Sequence, residues 1–295
     1  MADFLKELPR VFRERYLDTH GIYLKSIADI IASMYHMRDF EEASVRMIQK
    51  LMAQGAKLDE KRQDPGHETF EFRNLRNCWY HECALNYPFE SRDERLRFAS
   101  WKIMQCYYSV FSSIASLVCC HHPPKKSPNK TLNIYARNFL RNSKRRRFFL
   151  PPMNLYLNQQ GVIPKALSET VTWNYAHEFK IPDIEKCLRS VHNKSTITTI
   201  PHYLKSLREW ATYQDAYLMF RLYGEGPKAD LDFSLKRITF IHCLQTEYYL
   251  INLFGWKAFE RQYKAFSTEL KNNLKIESST LLARINAYQS SKLFV

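Results

Sequence analysis

The amino-acid sequence predicts an all-α protein, a multi-helix bundle, on three observations. Only seven Gly and twelve Pro occur in 295 residues, against 45% hydrophobic and 14% aromatic residues. That leaves too few turn-formers for a β-sandwich and too much apolar mass for a disordered chain. Apolar residues recur at helical spacing over long stretches. The clearest is 91–118, where Leu96, Ala99, Ile103, Tyr107, Val110, Ile114 and Leu117 share one stripe without an interrupting Gly or Pro. The third is an absence: the chain has no repeat of 20 to 50 residues and no Gly-rich phosphate loop of Walker or Rossmann spacing.

Taken in order, 23–37 and 39–54 read as an antiparallel helix pair, with Asp39 as N-cap and Gly55 as the stop. The charged, Pro- and Gly-containing stretch 57–66 reads as a linker. It divides an N-terminal helical hairpin, 1–66, from a larger helical domain, 67–295. Helices follow at 68–86 and 91–118, the second being the central one. Pro123, Pro124 and Pro128 then open a loop before a short amphipathic helix at 131–141. The segment 148–200 is irregular, punctuated by Pro151, Pro152, Pro164 and Pro182, with one short helix at 182–192. Strong helices occupy 203–223, 232–254 and 256–273, and no element is assigned beyond them. Tyr213, Tyr217, Phe220, Tyr248, Tyr249, Phe254, Trp256, Phe259, Tyr263 and Phe266 follow helical spacing and belong to the core. Glu247, the one acid within 238–253, is the expected partner of a core-facing base.

Forty-four Lys and Arg against thirty Asp and Glu leave a net charge of +14, and its distribution is uneven. No acid occurs between Glu94 and Glu169, a stretch that holds thirteen Lys and Arg. The rest of the chain carries 31 bases against 30 acids. Solvated surfaces ordinarily mix both signs, so a one-signed block calls for an external counter-charge, and phosphate is the commonest. Candidate nucleic-acid contacts are Lys125, Lys126, Lys130, Arg137, Arg141, Lys144, Arg145, Arg146 and Arg147. After the run Lys144–Arg147 come Phe148 and Phe149, which either stack on bases or anchor the loop to the core. A nuclear-import signal or an anionic-lipid patch would also use such a run, although no basic amphipathic helix accompanies it.

The seven cysteines are an odd number in a chain too large to need disulfide staples, which points to a reducing, cytoplasmic setting. Residues 1–7 carry acids where a signal peptide would be basic and then apolar. The most apolar stretch, 106–120, has fifteen residues including four Ser and two Tyr, too short and too polar to span a bilayer. No membrane association is expected. Cys78, His81 and Cys83, with Cys119, Cys120, His121 and His122, offer soft ligands in poor zinc spacing. They read as buried thiols, and neither metal nor cofactor is expected.

One stretch suggests chemistry. Arg76-Asn77-Cys78-Trp79-Tyr80-His81 has the form Arg-Asn-x-x-x-His. An imidazole can move the proton of a ribose 2′-hydroxyl while a guanidinium forks onto phosphate. The pattern resembles the Arg-x4-6-His motif of HEPN domains, helical ribonucleases and RNA-binding modules of toxin–antitoxin, abortive-infection and CRISPR systems. The central helix, with Tyr107-Tyr108-Ser109-Val110-Phe111, is similar to the Tyr-Tyr-x-x-Phe helix of many such domains. The resemblance implies a HEPN-like core within 67–295 and metal-independent RNA cleavage by Arg76, Asn77 and His81, with the site completed by a homodimer or a partner subunit.

In most HEPN domains the motif follows that helix, whereas Arg76–His81 precedes it. Three further Arg-x4-His matches exist: Arg15–His20, Arg62–His67 and Arg237–His242. The last lies on a strong helix and is the alternative site. Two functions remain open, a HEPN-like endoribonuclease acting in antiviral defence or toxin–antitoxin systems, and a non-catalytic RNA- or DNA-binding subunit of a larger complex. RNA is favoured over DNA.

Overall fold

Asp39 starts the first helix, α1 (Phe40–Ala53), because its carboxylate accepts hydrogen bonds from the backbone N–H of Glu41 at 2.7 Å and Glu42 at 3.4 Å. Gly55, at φ 64°, turns the chain out at the other end. The computed structural model describes residues 39–59, 61–62, 69–88, 98–125, 127–150, 199–213, 231–274 and 278–291, together with Ala28, Tyr35, Met37 and Met153. Among the described residues there are nine α-helices and no strand, so the chain is all-α as expected. The helices expected at 23–37 and 182–192 lie wholly or largely outside the described residues.

A tight antiparallel pair forms the spine, α2 (Phe70–Leu85) against α3 (Ala99–Cys119). Serines make the close approach possible. Ser116 Oγ donates to the Glu71 carbonyl at 2.7 Å and Ser109 Oγ to the Cys78 carbonyl at 3.0 Å. The expected stripe of α3 is buried, with Ile103, Val110, Ile114 and Leu117 no more than 1% exposed. A short α4 (Pro128–Tyr135) runs into a π-helical turn, Ala136–Leu140, and then α5 (Ser143–Arg146). Pro128 does not end a loop, as its residue type suggested, but occupies the first turn of α4, where its missing N–H costs nothing.

Against the spine lie α6 (Ile200–Tyr213) and α7 (Leu231–Phe254). Every residue from 241 to 250 of α7 is buried, which explains its lack of a one-sided apolar stripe. Gly255, at φ 86°, separates α7 from α8 (Trp256–Glu269), which continues as a π-helical turn over Leu270–Leu274. The last helix, α9 (Ser279–Ser290), was not expected from sequence. Ser278 caps it by accepting from the Leu281 N–H, and it packs along α1. Residues of α1 share one hydrophobic cluster with the spine and α7. Part of the stretch read as a linker is pinned to the bundle, the Arg62 N–H donating to the Leu253 carbonyl at 2.7 Å.

α9 supplies the base that Glu247 calls for. Arg284 is fully buried and forks onto Glu82 at 2.6 and 2.7 Å and onto Glu247 at 2.8 and 2.8 Å. The Trp79 indole donates to Glu247 as well, at 2.8 Å. Burial drives the Glu247 pKa upward against the opposing pull of Arg284.

Candidate functional site

Arg76 and His81 sit five residues apart on α2, about 140° round the helix at 100° per residue, and so meet different neighbours. Arg76 faces α8 and donates from Nη1 to Gln262 Oε1 at 2.7 Å. His81 faces α3, where its Nδ1 lies 2.7 Å from Gln105 Oε1 and its ring stacks on Tyr108 with centroids 5.3 Å apart. Because the Gln105 atom is an oxygen, Nδ1 is the donor in this contact, the tautomer whose neutral form has its lone pair on Nε2. Asn77, exposed, lies one turn before His81 on the same face.

A guanidinium also meets the ring on which His81 stacks. Arg208 of α6 donates from Nη2 to Tyr108 Oη at 2.6 Å, and its carbon stands 5.3 Å from the Tyr108 ring centroid. His81, Gln105, Tyr108 and Arg208 are all half-buried and come from three helices. The sequence reading missed Gln105 and Arg208. Tyr108 was visible in the Tyr-Tyr-x-x-Phe stretch, but Arg208 stands a hundred residues further on, where no local spacing can find it.

The basic residues gather beyond the C-terminal end of α3. Lys125, Lys130, Arg137, Arg141, Lys144 and Arg147 are exposed, Arg145 and Arg146 are half-buried, and Lys126 lies outside the described residues. The backbone of α5 is set by Asn142, whose side chain accepts from the Lys144 and Arg145 N–H groups at 3.1 Å each. Arg145 is partly structural. It lies over the Phe139 ring at 5.3 Å, and its Nη2 donates to His121 Nδ1 at 3.2 Å. His121 in turn lies 2.7 Å from Tyr249 Oη through Nε2. Burial, and then the charges of Arg145, Arg62 and His122, hold the His121 pKa down to about 4, so it stays neutral and braces the loop.

Phe148 and Phe149 are no more than 1% exposed. They pack on Tyr249 at 4.8 Å and Tyr135 at 5.4 Å respectively, so they anchor the basic run to the core and offer no face for stacking. Lys102, one of the thirteen bases of the acid-free stretch, is also withdrawn from the surface: it is buried and ion-paired with Asp232.

His242, the alternative imidazole, is 1% exposed, and burial lowers its pKa to about 3. It belongs to the core of α7 and meets no solvent. Arg15, His20 and His67 fall outside the described residues. Cys78 Sγ and Cys243 Sγ lie 3.2 Å apart between α2 and α7. Burial pushes the thiols of Cys83 and Cys106 up to about 12 and that of Cys119 to about 11, poor values for thiolate chemistry. Among the described residues no group of three or more His, Cys, Asp or Glu is placed to hold a metal ion, and no helix is long and apolar enough to cross a membrane.

His81 and the basic run are well separated. Gln105, its partner, precedes Cys120 by fifteen residues, about 22 Å along α3 at 1.5 Å per residue. No family model matches the chain, and neither a curated protein nor a solved structure does.

Proposed function

We propose that this chain binds RNA through the basic surface carried by α4, α5 and the turns around them. The observation that supports the reading is the exposure of Lys125, Lys130, Arg137, Arg141, Lys144 and Arg147 within a stretch that contains no acid. A surface on which cations outnumber acids attracts phosphate and gains from counterion release. Because Arg145 also holds the loop, the test uses the exposed cations. Replacing Arg141, Lys144 and Arg147 with Ala weakens binding to all sequences alike and flattens the log–log salt dependence, each lost phosphate contact removing about 0.7 from the slope on single strands. An unchanged slope in a filter-binding titration refutes it.

A second reading, HEPN-like metal-independent cleavage, is favoured by His81. Its Nε2 lone pair is available as a base, and Arg208 stands across Tyr108 as a cation for the scissile phosphate. Arg76 faces away in the same chain, so its use would need a second copy or a partner subunit. On this reading His81→Ala abolishes cleavage with RNA affinity retained, and cleavage by the parent persists in EDTA and leaves a 2′,3′-cyclic phosphate. Cleavage by His81→Ala at the parental rate rejects it and leaves the binding-subunit function.

A further inference from the structure

A groove opens where the end of α1 meets the junction of α7 and α8. Its volume is about 580 Å³, and its lining includes Gly55, Lys57, Lys61, Tyr248, Asn252 and Trp256. The two positive-φ glycines shape it. Gly55 lies on one lip and Gly255 at the junction, each turning a helix end away from the opening. Apolar and aromatic groups form the floor and far wall, with Tyr248 buried and Trp256 half-buried. Two exposed ammonium groups, Lys57 and Lys61, stand at the rim, and no acid is among the described lining residues.

The ring positions are fixed from behind. Phe148 packs on the Tyr248 ring at 6.0 Å, and Phe259 and Tyr288 pack on Trp256 at 5.8 and 6.4 Å. The groove is also continuous with the basic surface. Phe148 directly follows the run Lys144–Arg147, and Arg147 Nη1 comes within 3.5 Å of where a Gly55 Cβ would stand. The volume suits a small molecule of nucleotide size. An aromatic pocket with cations confined to its rim matches a planar ring that carries an anion.

We infer that this groove binds a nucleoside phosphate, the base against Trp256 with buried Tyr248 as the floor beneath it, and the phosphate beside Lys57 and Lys61. As one nucleotide of a strand held along α5, this deepens the RNA-binding reading above and rests on it. A free mononucleotide carries the same chemistry, and the test separates the two sources.

Binding is measured for a short oligoadenylate, for an abasic strand of the same length, and for AMP alone. The parent protein binds the oligoadenylate at least about fivefold more tightly than the abasic strand, from the stacking of one base. Trp256→Ala brings the oligoadenylate down to the abasic level and leaves the abasic strand unchanged. Lys57→Glu/Lys61→Glu, a surface variant that leaves the aromatic packing in place, weakens both strands and any saturable AMP binding without moving the urea midpoint. AMP binding that this variant abolishes, with no preference between the strands, supports the groove with a free nucleotide as its ligand.

Equal affinity for both strands, with no AMP binding and a salt slope still set by Arg141, Lys144 and Arg147, overturns the groove and leaves the RNA-binding reading standing. If the parent binds neither strand nor AMP, both fall.

Discussion

Two clusters of charge occupy opposite ends of the α2–α3 pair, and they are handled in opposite ways. Near the end of α2, Arg284 is enclosed by Glu82 and Glu247 at 2.6 to 2.8 Å, none of the three side chains more than 1% exposed. Beyond the end of α3, Lys144 of α5 faces solvent with Arg141 and Arg147 on either side of that helix. There Lys144 meets Asp59 of a separate segment at 3.5 Å, both side chains more than four-fifths exposed. The buried cluster is closed: four guanidinium N–H groups meet the two carboxylates, and removing one member strands the others. The exposed cluster is open: its cations lie at the surface, where water and salt screen them. Charge in this protein is therefore enclosed at one end and exposed at the other, and the two ends should answer differently to mutation.

The largest effect is expected from breaking the closed cluster. Arg284→Ala leaves two buried carboxylates without their cation, and a loss of about 3–5 kcal/mol is expected from the urea midpoint at neutral pH. With the cation gone, burial drives the Glu247 pKa higher still. Protonation then relieves the stranded charge, so the deficit narrows as pH falls. A deficit below about 1 kcal/mol, or one independent of pH, would mean that the cluster is not closed and that the contrast with α5 is false.

A smaller effect comes from a core group that stays neutral where the surface stays charged. The folded His242 pKa is lowered to about 3 by burial, whereas the unfolded chain takes its proton near the ordinary value of about 6.5. As pH falls from about 6.5 toward 3 the unfolded state binds the extra proton, so stability present above that range is lost, at up to about 1.4 kcal/mol per pH unit. Between pH 6.5 and 5 the parent should lose about 2 kcal/mol more than His242→Leu. His121, held down to about 4, adds a loss in the same direction that the His242 variant keeps. Equal losses in parent and variant would place His242 in contact with solvent and revive it as a catalytic candidate.

The helical frame was readable because its signals are local. Asp39 and Gly55 bound α1 by chemistry that acts within one turn, and the α3 stripe repeats every three or four residues. α9 escaped because its helical spacing of Leu281, Ile285 and Tyr288 is interrupted by Arg284, which looks like a surface residue until Glu82 and Glu247 are seen around it. Glu247 pointed to a core-facing base as its partner; which base it was depended on the tertiary fold. The same limit applies to the candidate sites. His81 was legible, but Gln105 beside it and Arg208 on the shared neighbour Tyr108 are brought in by packing across three helices. The groove joins residues from 52–61 to residues from 248–256, and no spacing rule links them. Phe148 and Phe149 were read with both outcomes open, and it is the ring contacts with Tyr249 and Tyr135 that decide for the core.

The smallest stability effect should accompany the clearest change in binding, and Lys144 and Arg145 separate the two. They are neighbours in sequence with the same charge. Lys144 is held by one exposed ion pair, and such pairs contribute little because water and salt screen them. Lys144→Ala should therefore shift the urea midpoint by no more than about 0.5 kcal/mol, while lowering RNA affinity and its salt slope. Arg145 also donates to His121 and covers Phe139. Arg145→Ala should lower affinity and stability together, and by relieving His121 of a neighbouring cation it should raise that imidazole's pKa from about 4, which an NMR titration can follow. If the two variants lose stability equally, α5 is part of the closed architecture and its charge is not reserved for a partner. If Lys144→Ala leaves both affinity and salt slope untouched while Arg145→Ala changes only the His121 titration, the open cluster binds nothing through these two cations.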